Sequence, residues 1–139
     1  MLHQVAQLQE NHERFVSRVA ANEVVWGLEG PNGFAVCTSN DDETRPVLLF
    51  WSDRAYAVRA KQAGYQDHEP RELALFDFLF RWLPGMKGDK AFAGTNFNAD
   101  FAGLETEPLD LQEQLLSAMK PELAKAYIDR LRAAVRSAE

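Results

Sequence analysis

RPVLLFWSDRAYAVRAKQAG, residues 45–64, passes within two positions from an unbroken apolar run into a polar, alanine-rich segment. Val47 to Trp51 lack the alternation of a strand that shows one face to water. Both faces of such a strand must be covered, so it belongs at the centre of a sheet or between helices. Pro46 stands at its start, where a missing N–H does least harm. After Trp51, Ser52 is placed to cap a helix, its hydroxyl accepting from an N–H two or three residues on, with Asp53 favourable toward the helix dipole. That helix is expected to stop at Gly64. Tyr56, Ala57, Ala60 and Ala63 fall on one face, and these small residues let the helix lie close against the sheet.

Upstream, Val5, Leu8, His12, Phe15, Val16 and Val19 recur at helical spacing and predict an amphipathic helix over 4–21. Residues 23–39 read as a β-hairpin turning at Gly30-Pro31-Asn32-Gly33. Downstream, ALFDFLFRWL is apolar all round except for Asp77 and Arg81, which share one stripe at i,i+4. Such a helix is expected to be deeply buried and to end at Pro84-Gly85. KAFAGTNF and GLETEP predict short strands around an Asn98-Ala99-Asp100 loop. Leu111, Leu115 and Met119 define another helix, and Pro121 opens the last at its first position. Together these elements predict a single α+β domain over residues 1–120, a mostly antiparallel sheet of about five strands covered by helices. Residues 121–139 form a helical extension whose stripe, Leu123, Tyr127, Leu131 and Val135, fits burial on the domain or across a two-fold axis. A homodimer is favoured, since symmetric dimers are common.

A chain of 139 residues is long enough for one core, and 46% hydrophobic with 26% charged content is that of a soluble globular domain. The net charge of -6, without a Lys/Arg cluster, argues against nucleic acid and anionic membrane as partners. Cys37 is the only cysteine, so no disulfide forms within the chain and a reducing compartment is expected. The opening MLHQVAQLQENHERF lacks the basic start and apolar stretch of a signal peptide. The apolar-rich run 73–83 is too short to span a bilayer. A cytoplasmic location is expected.

Phosphate-binding loops, dinucleotide fingerprints, nucleophile elbows and zinc spacings are missing from the sequence. His3, His12 and His68 are scattered, and no metal or cofactor is expected. Asp41-Asp42-Glu43 reads as a solvated turn, and Cys37 as a small core residue. Trp51, Ser52 and Asn96 are the candidate ligand-binding residues, around a pocket at the end of the apolar strand. Trp51 either lines that pocket beside the helix N-terminus or is sealed in the core, and the core is favoured. Asp100, Glu105, Glu107, Asp110 and Glu113 lie in a stretch without Lys or Arg. They fit a docking face for a basic partner, although a solvated face is the commoner use of such a run.

FWSDRAYAVRA, DFLFRWLPGMK and GTNFNAD, in that order, resemble the bacterial family called domain of unknown function 2750. Its pattern has a strand ending in Trp-Ser before an Ala-rich helix, then a Phe-Leu-x-x-Trp-Leu-Pro helix and a Gly-x-Asn-aromatic strand. Here these are Trp51-Ser52, Phe78 to Pro84, and Gly94 to Phe97. FVSRVAANEVVWGL also fits, and the resemblance covers roughly residues 12–110, leaving the helix after Pro121 outside. A more distant similarity is to SseB-like amino-terminal domains. The family carries no established reaction, so the resemblance implies fold alone. The residues favour a non-catalytic cytoplasmic module that binds a protein or a small molecule. Alternatives are a small hydrolase-like enzyme with its pocket near Trp51, Ser52 and Asn96, and an immunity-type inhibitor using residues 100–113.

Overall fold

A computed structural model describes residues 2–138, and the side chains of residues 4–138. The chain runs α1 (Leu2–Asn22), β1 (Val24–Gly30), β2 (Gly33–Phe34), β3 (Val36–Thr38), β4 (Pro46–Phe50), α2 (Arg54–Gly64) and β5 (Glu69–Ala74). It continues through α3 (75–88), β6 (Phe92–Thr95), β7 (Leu104–Thr106), α4 (Pro108–Ala118) and α5 (Pro121–Ala138). The α+β class is as expected, with the strands divided between two small, mostly antiparallel sheets, β2-β1-β5 and β3-β4-β6-β7.

The expected hairpin forms, but its return strand changes partner. Ala35 donates its N–H to the Leu28 carbonyl of β1, and its own carbonyl accepts from Leu49 of β4. Before Ala35 the chain pairs with β1, and after it with β4. Trp26 and Trp51 close the seam with two reciprocal backbone bonds, each 2.8 Å. The strand β5 had no sequence prediction. It lies along β1 with Pro70 within it, and four of its six residues are exposed, a pattern suited to a sheet edge.

The missing alternation of β4 has the expected cause. Val47, Leu49 and Trp51 pack with Ala57 and Ala60 of α2, while Phe50 packs with Phe15 and Val19 of α1 and with Phe78 of α3. Helices therefore cover both faces, and β4 runs parallel to β6 at the centre of its sheet. Within the α2 stripe, Ala57 and Ala60 are buried, whereas Ala63 is exposed.

The buried helix does not stop at Pro84-Gly85. Residues 75–88 are continuous, with a π-helical turn over Phe78–Trp82 between two α-helical pieces. Leu83 donates its N–H to Phe78, five residues back, instead of to Leu79. Pro84 has no N–H to offer in its place. The Leu79 carbonyl, orphaned by both, accepts from Gln112 Nε2 of α4 at 2.8 Å. The widened turn thus absorbs the proline, and α4 supplies the missing donor.

The extension α5 is docked by its first half. Leu123, Ala124 and Tyr127 pack on the main core, and the Tyr127 hydroxyl donates to Glu23 Oε1 at 2.5 Å. Arg130 lies over the Phe76 ring, 3.8 Å from its centroid. Val135, further along, is 52% exposed. No helix among the described residues is long and apolar enough to cross a membrane.

Removing the Gln112 donor leaves a carbonyl of a fully buried residue unpaired. Gln112→Ala is expected to cost about 1–3 kcal/mol in urea unfolding. Asp77→Ala removes only a loose exposed contact to Arg81, 3.7 Å long, and is expected to cost less than about 1 kcal/mol. Equal losses would contradict this account of the π turn.

Candidate functional site

The end of β6 carries a buried asparagine whose backbone N–H and side chain make four hydrogen bonds. Asn96 has φ 48, a left-handed conformation that asparagine tolerates better than most residues. Its N–H continues the ladder by donating to the Phe50 carbonyl at 2.9 Å. Its side-chain Oδ1 accepts from the Ser52 N–H at 2.8 Å. Nδ2 donates to the Ser52 hydroxyl at 3.0 Å and to the Asn11 carbonyl of α1 at 3.2 Å. One side chain therefore ties α1, the end of β4 and the end of β6. The next residue is held as firmly. A Cβ on Gly94 or Gly103 would lie within 3 Å of the Phe97 ring, so both glycines make room for it. The Phe97 carbonyl accepts the Trp51 indole N–H at 2.9 Å.

Ser52 does not cap α2, contrary to expectation. The helix begins at Arg54, and Asp53 is its cap residue, with extended backbone and no side-chain cap bond. The Asp53 backbone carbonyl accepts instead from Tyr56 and Ala57. Its carboxylate is gripped by both forks of Arg18 from α1, at 2.6 and 2.7 Å, and also accepts the Ser52 hydroxyl at 2.7 Å. Burial pushes the Asp53 carboxyl up, but the bonds from Arg18 and Ser52 outweigh it and hold the group below its usual range.

Above this network lies a cleft of about 590 Å³. Gln7, Asn11 and Arg14 of α1 form one wall, and Tyr56, Arg59 and Ala60 of α2 form the other. Asn96, Phe97, Asn98 and Ala99 complete it. Of the three candidate ligand-binding residues, Asn96 reaches this cleft; Trp51 and Ser52 lie beneath it, 0% and 2% exposed.

The family described as protein of unknown function (DUF2750) matches residues 12–115. The chain belongs to the DUF2750 family. No curated protein and no solved structure matches the chain. The DUF2750 segment contains Asn96, Ser52, Asp53 and Arg18, and the α2 wall of the cleft. Gln7 and Asn11 of the α1 wall precede it, and α5 follows it.

Among the described residues Ser52 is not paired with a histidine base. The Ser52 proton is directed to the Asp53 carboxylate, which Arg18 holds ionised. His12, which sequence spacing placed on an apolar stripe, is buried and bridges Thr95 Oγ1 and Gln114 Oε1, each at 2.7 Å. It joins α1, β6 and α4 and has no bond to Ser52. A histidine within an apolar stripe was the available signal for this bridge. His3 has its side chain outside the described residues. The Cys37 thiol is pushed up by burial and by Glu105, which disfavours the reactive thiolate. Among the described residues no group of three His, Cys, Asp or Glu side chains could hold a metal ion.

Two members of the acidic stretch are engaged by groups of this chain. Glu105 accepts from the Ser39 hydroxyl and from the Asn40 N–H. Glu107 makes a two-pronged pair with Arg45 at 2.6 and 2.9 Å. Asp100, Asp110 and Glu113 are exposed.

The Asp53 carboxyl is held below its unfolded value, so its contribution is fully present above that value, near pH 4, and is lost as pH falls through the folded one. The stability difference between wild type and Asp53→Asn is expected to be constant from pH 7 to about pH 5 and to narrow below about pH 4. Urea midpoints measured across that range check it, and a gap that widens in acid would contradict it.

Proposed function

We propose that this DUF2750 protein is a non-catalytic binding module whose ligand is a small molecule held between α1 and α2. The carrying observation is the cleft of about 590 Å³, within the roughly 300–1,000 Å³ typical of small-molecule sites. Its base is the Asn96 network, and rigid elements on three sides suit it to present fixed polar groups. A cytoplasmic setting belongs to the same proposal, supported by the single free cysteine.

The hydrolase-like alternative has less support, because Ser52 is sealed under the cleft and its proton is directed to an ionised carboxylate. An immunity-type inhibitor has less support too, because Glu105 and Glu107 are engaged inside the chain.

Gln7 sits on the exposed outer turn of α1, where a larger side chain fills the cleft without entering the core. In a thermal-shift panel of amino acids, sugars, organic acids, nucleotides and polyamines, at least one class is expected to raise the wild-type Tm. The same compounds are expected to have no effect on Gln7→Trp. A panel without any shift, or an identical shift in Gln7→Trp, would count against the cleft.

A further inference from the structure

Resting on the reading of this cleft as a ligand site, we propose that its ligand class is a small organic oxyanion, a molecule carrying phosphate or carboxylate groups. The inference comes from what the lining groups have left to give. Arg18, Arg45, Arg71 and Arg81 have carboxylate partners, and the other arginines that have none among the described residues, Arg54, Arg130, Arg132 and Arg136, are outside the cleft lining. Arg14 and Arg59, on opposite walls of the cleft, have none among the described residues, and no carboxylate lines the cleft. The nearby Asp53 is already neutralised by Arg18.

The amides reinforce the same sign. Asn98 Oδ1 accepts from the N–H groups of Asp100 and Ala102, at 2.9 and 3.1 Å. Asn11 Oδ1 accepts from Gln7 Nε2 and from Arg14 Nη1, at 3.0 and 3.2 Å. Backbone N–H and guanidinium groups only donate, so each amide oxygen is committed to its partner and each NH₂ is left over. Asn96 has spent its side chain on Ser52 and Asn11. Gln7 Oε1 and the Tyr56 hydroxyl are the uncommitted side-chain acceptors in the lining, set against two guanidinium forks and two amide NH₂ groups. Such a donor excess matches phosphate or carboxylate oxygens, which guanidinium groups bind in two-pronged geometry. The Tyr56 ring and exposed Ala99 give the ligand's carbon body an apolar surface. The net charge of -6 therefore conceals a local site of opposite sign.

The test uses the full-length ¹⁵N-labelled chain, titrated with inorganic pyrophosphate and separately with citrate at ionic strength held constant with sodium chloride. Side-chain resonances of Arg14, Arg59, Asn11 and Asn98 are expected to move together. Affinity is expected to fall about tenfold or more in Arg14→Gln and in Arg59→Gln, as for a lost charge-assisted bond. It should be unchanged in Arg132→Gln, which removes the same charge from exposed α5. Binding of pyrophosphate alone assigns phosphate, binding of citrate alone assigns carboxylate, and binding of both supports the shared chemistry. Equal weakening in Arg132→Gln would overturn the proposal, as diffuse attraction. If neither anion binds while a neutral or cationic compound binds and is excluded by Gln7→Trp, the oxyanion class falls and the binding module stands. If no compound of any charge binds, both fall.

Discussion

The architecture around the cleft depends on one asparagine side chain satisfying three groups at once. The Ser52 N–H emerges where β4 has stopped and α2 has not begun, so no regular partner is available to it. Asn96 Oδ1 supplies one, and Nδ2 reaches across to a carbonyl within α1. A buried amide without a partner costs about as much as a typical hydrogen bond returns, or more. Neighbouring groups settle around the same contact. Ser52 Oγ relays it to Asp53, and Asp53 relays it to Arg18 on α1. α1 is consequently fastened to the α2 start at two levels, by the Asn11 carbonyl and by Arg18. The cleft is the space left between these helices above the fastening.

Much of this was legible in the sequence because periodicity reports on surroundings. A run such as Val47 to Trp51 reads as a strand covered on both sides, and the structure covers it with α2 on one face and α1 with α3 on the other. The Gly94-x-Asn96-Phe97 pattern was visible only as part of the family resemblance, and its physical meaning, a glycine for a ring to lie on and an asparagine for a left-handed turn, came with the structure. β5 was not legible, since its Glu69, Arg71 and Glu72 belong to a solvated edge and leave no hydrophobic period. Pro84 misled for a different reason. Proline normally ends a helix because an N–H is lost and a carbonyl is crowded, and both problems were solved by a π turn and by Gln112, 28 positions away. Ser52 misled similarly. Its type and place suit a cap, but a partner 44 residues distant claimed its hydroxyl.

Sealed polar networks and open polar clefts call for opposite chemistry, and here they lie one above the other. Below, the side chains of Asn96, Ser52 and Asp53 satisfy one another, and no buried side-chain polar atom among the described residues lacks a partner. Such closure rigidifies the base of the cleft. Above, Arg59, the rest of the Arg14 guanidinium and the NH₂ groups of Asn11 and Asn98 have no carboxylate partner among the described residues and lie beside the Tyr56 ring. On the proposed binding reading, this distinction counts for more than residue types, since serine, histidine and aspartate are all close by. It also explains why the sequence pointed to Trp51 and Ser52 while the accessible groups belong to α1, α2 and the turn after Asn96. These elements meet only in three dimensions.

Amide hydrogen exchange in wild type and Asn96→Ala tests the central claim most directly. Trp51 and Ser52 are adjacent, yet the Trp51 N–H bonds to the Trp26 carbonyl and the Ser52 N–H to Asn96 Oδ1. In Asn96→Ala the Ser52 amide is predicted to lose far more protection than the Trp51 amide, with the amides of the first turns of α2 following Ser52. A uniform loss at both positions, or a Ser52 amide as protected as before, would contradict the role assigned to Asn96.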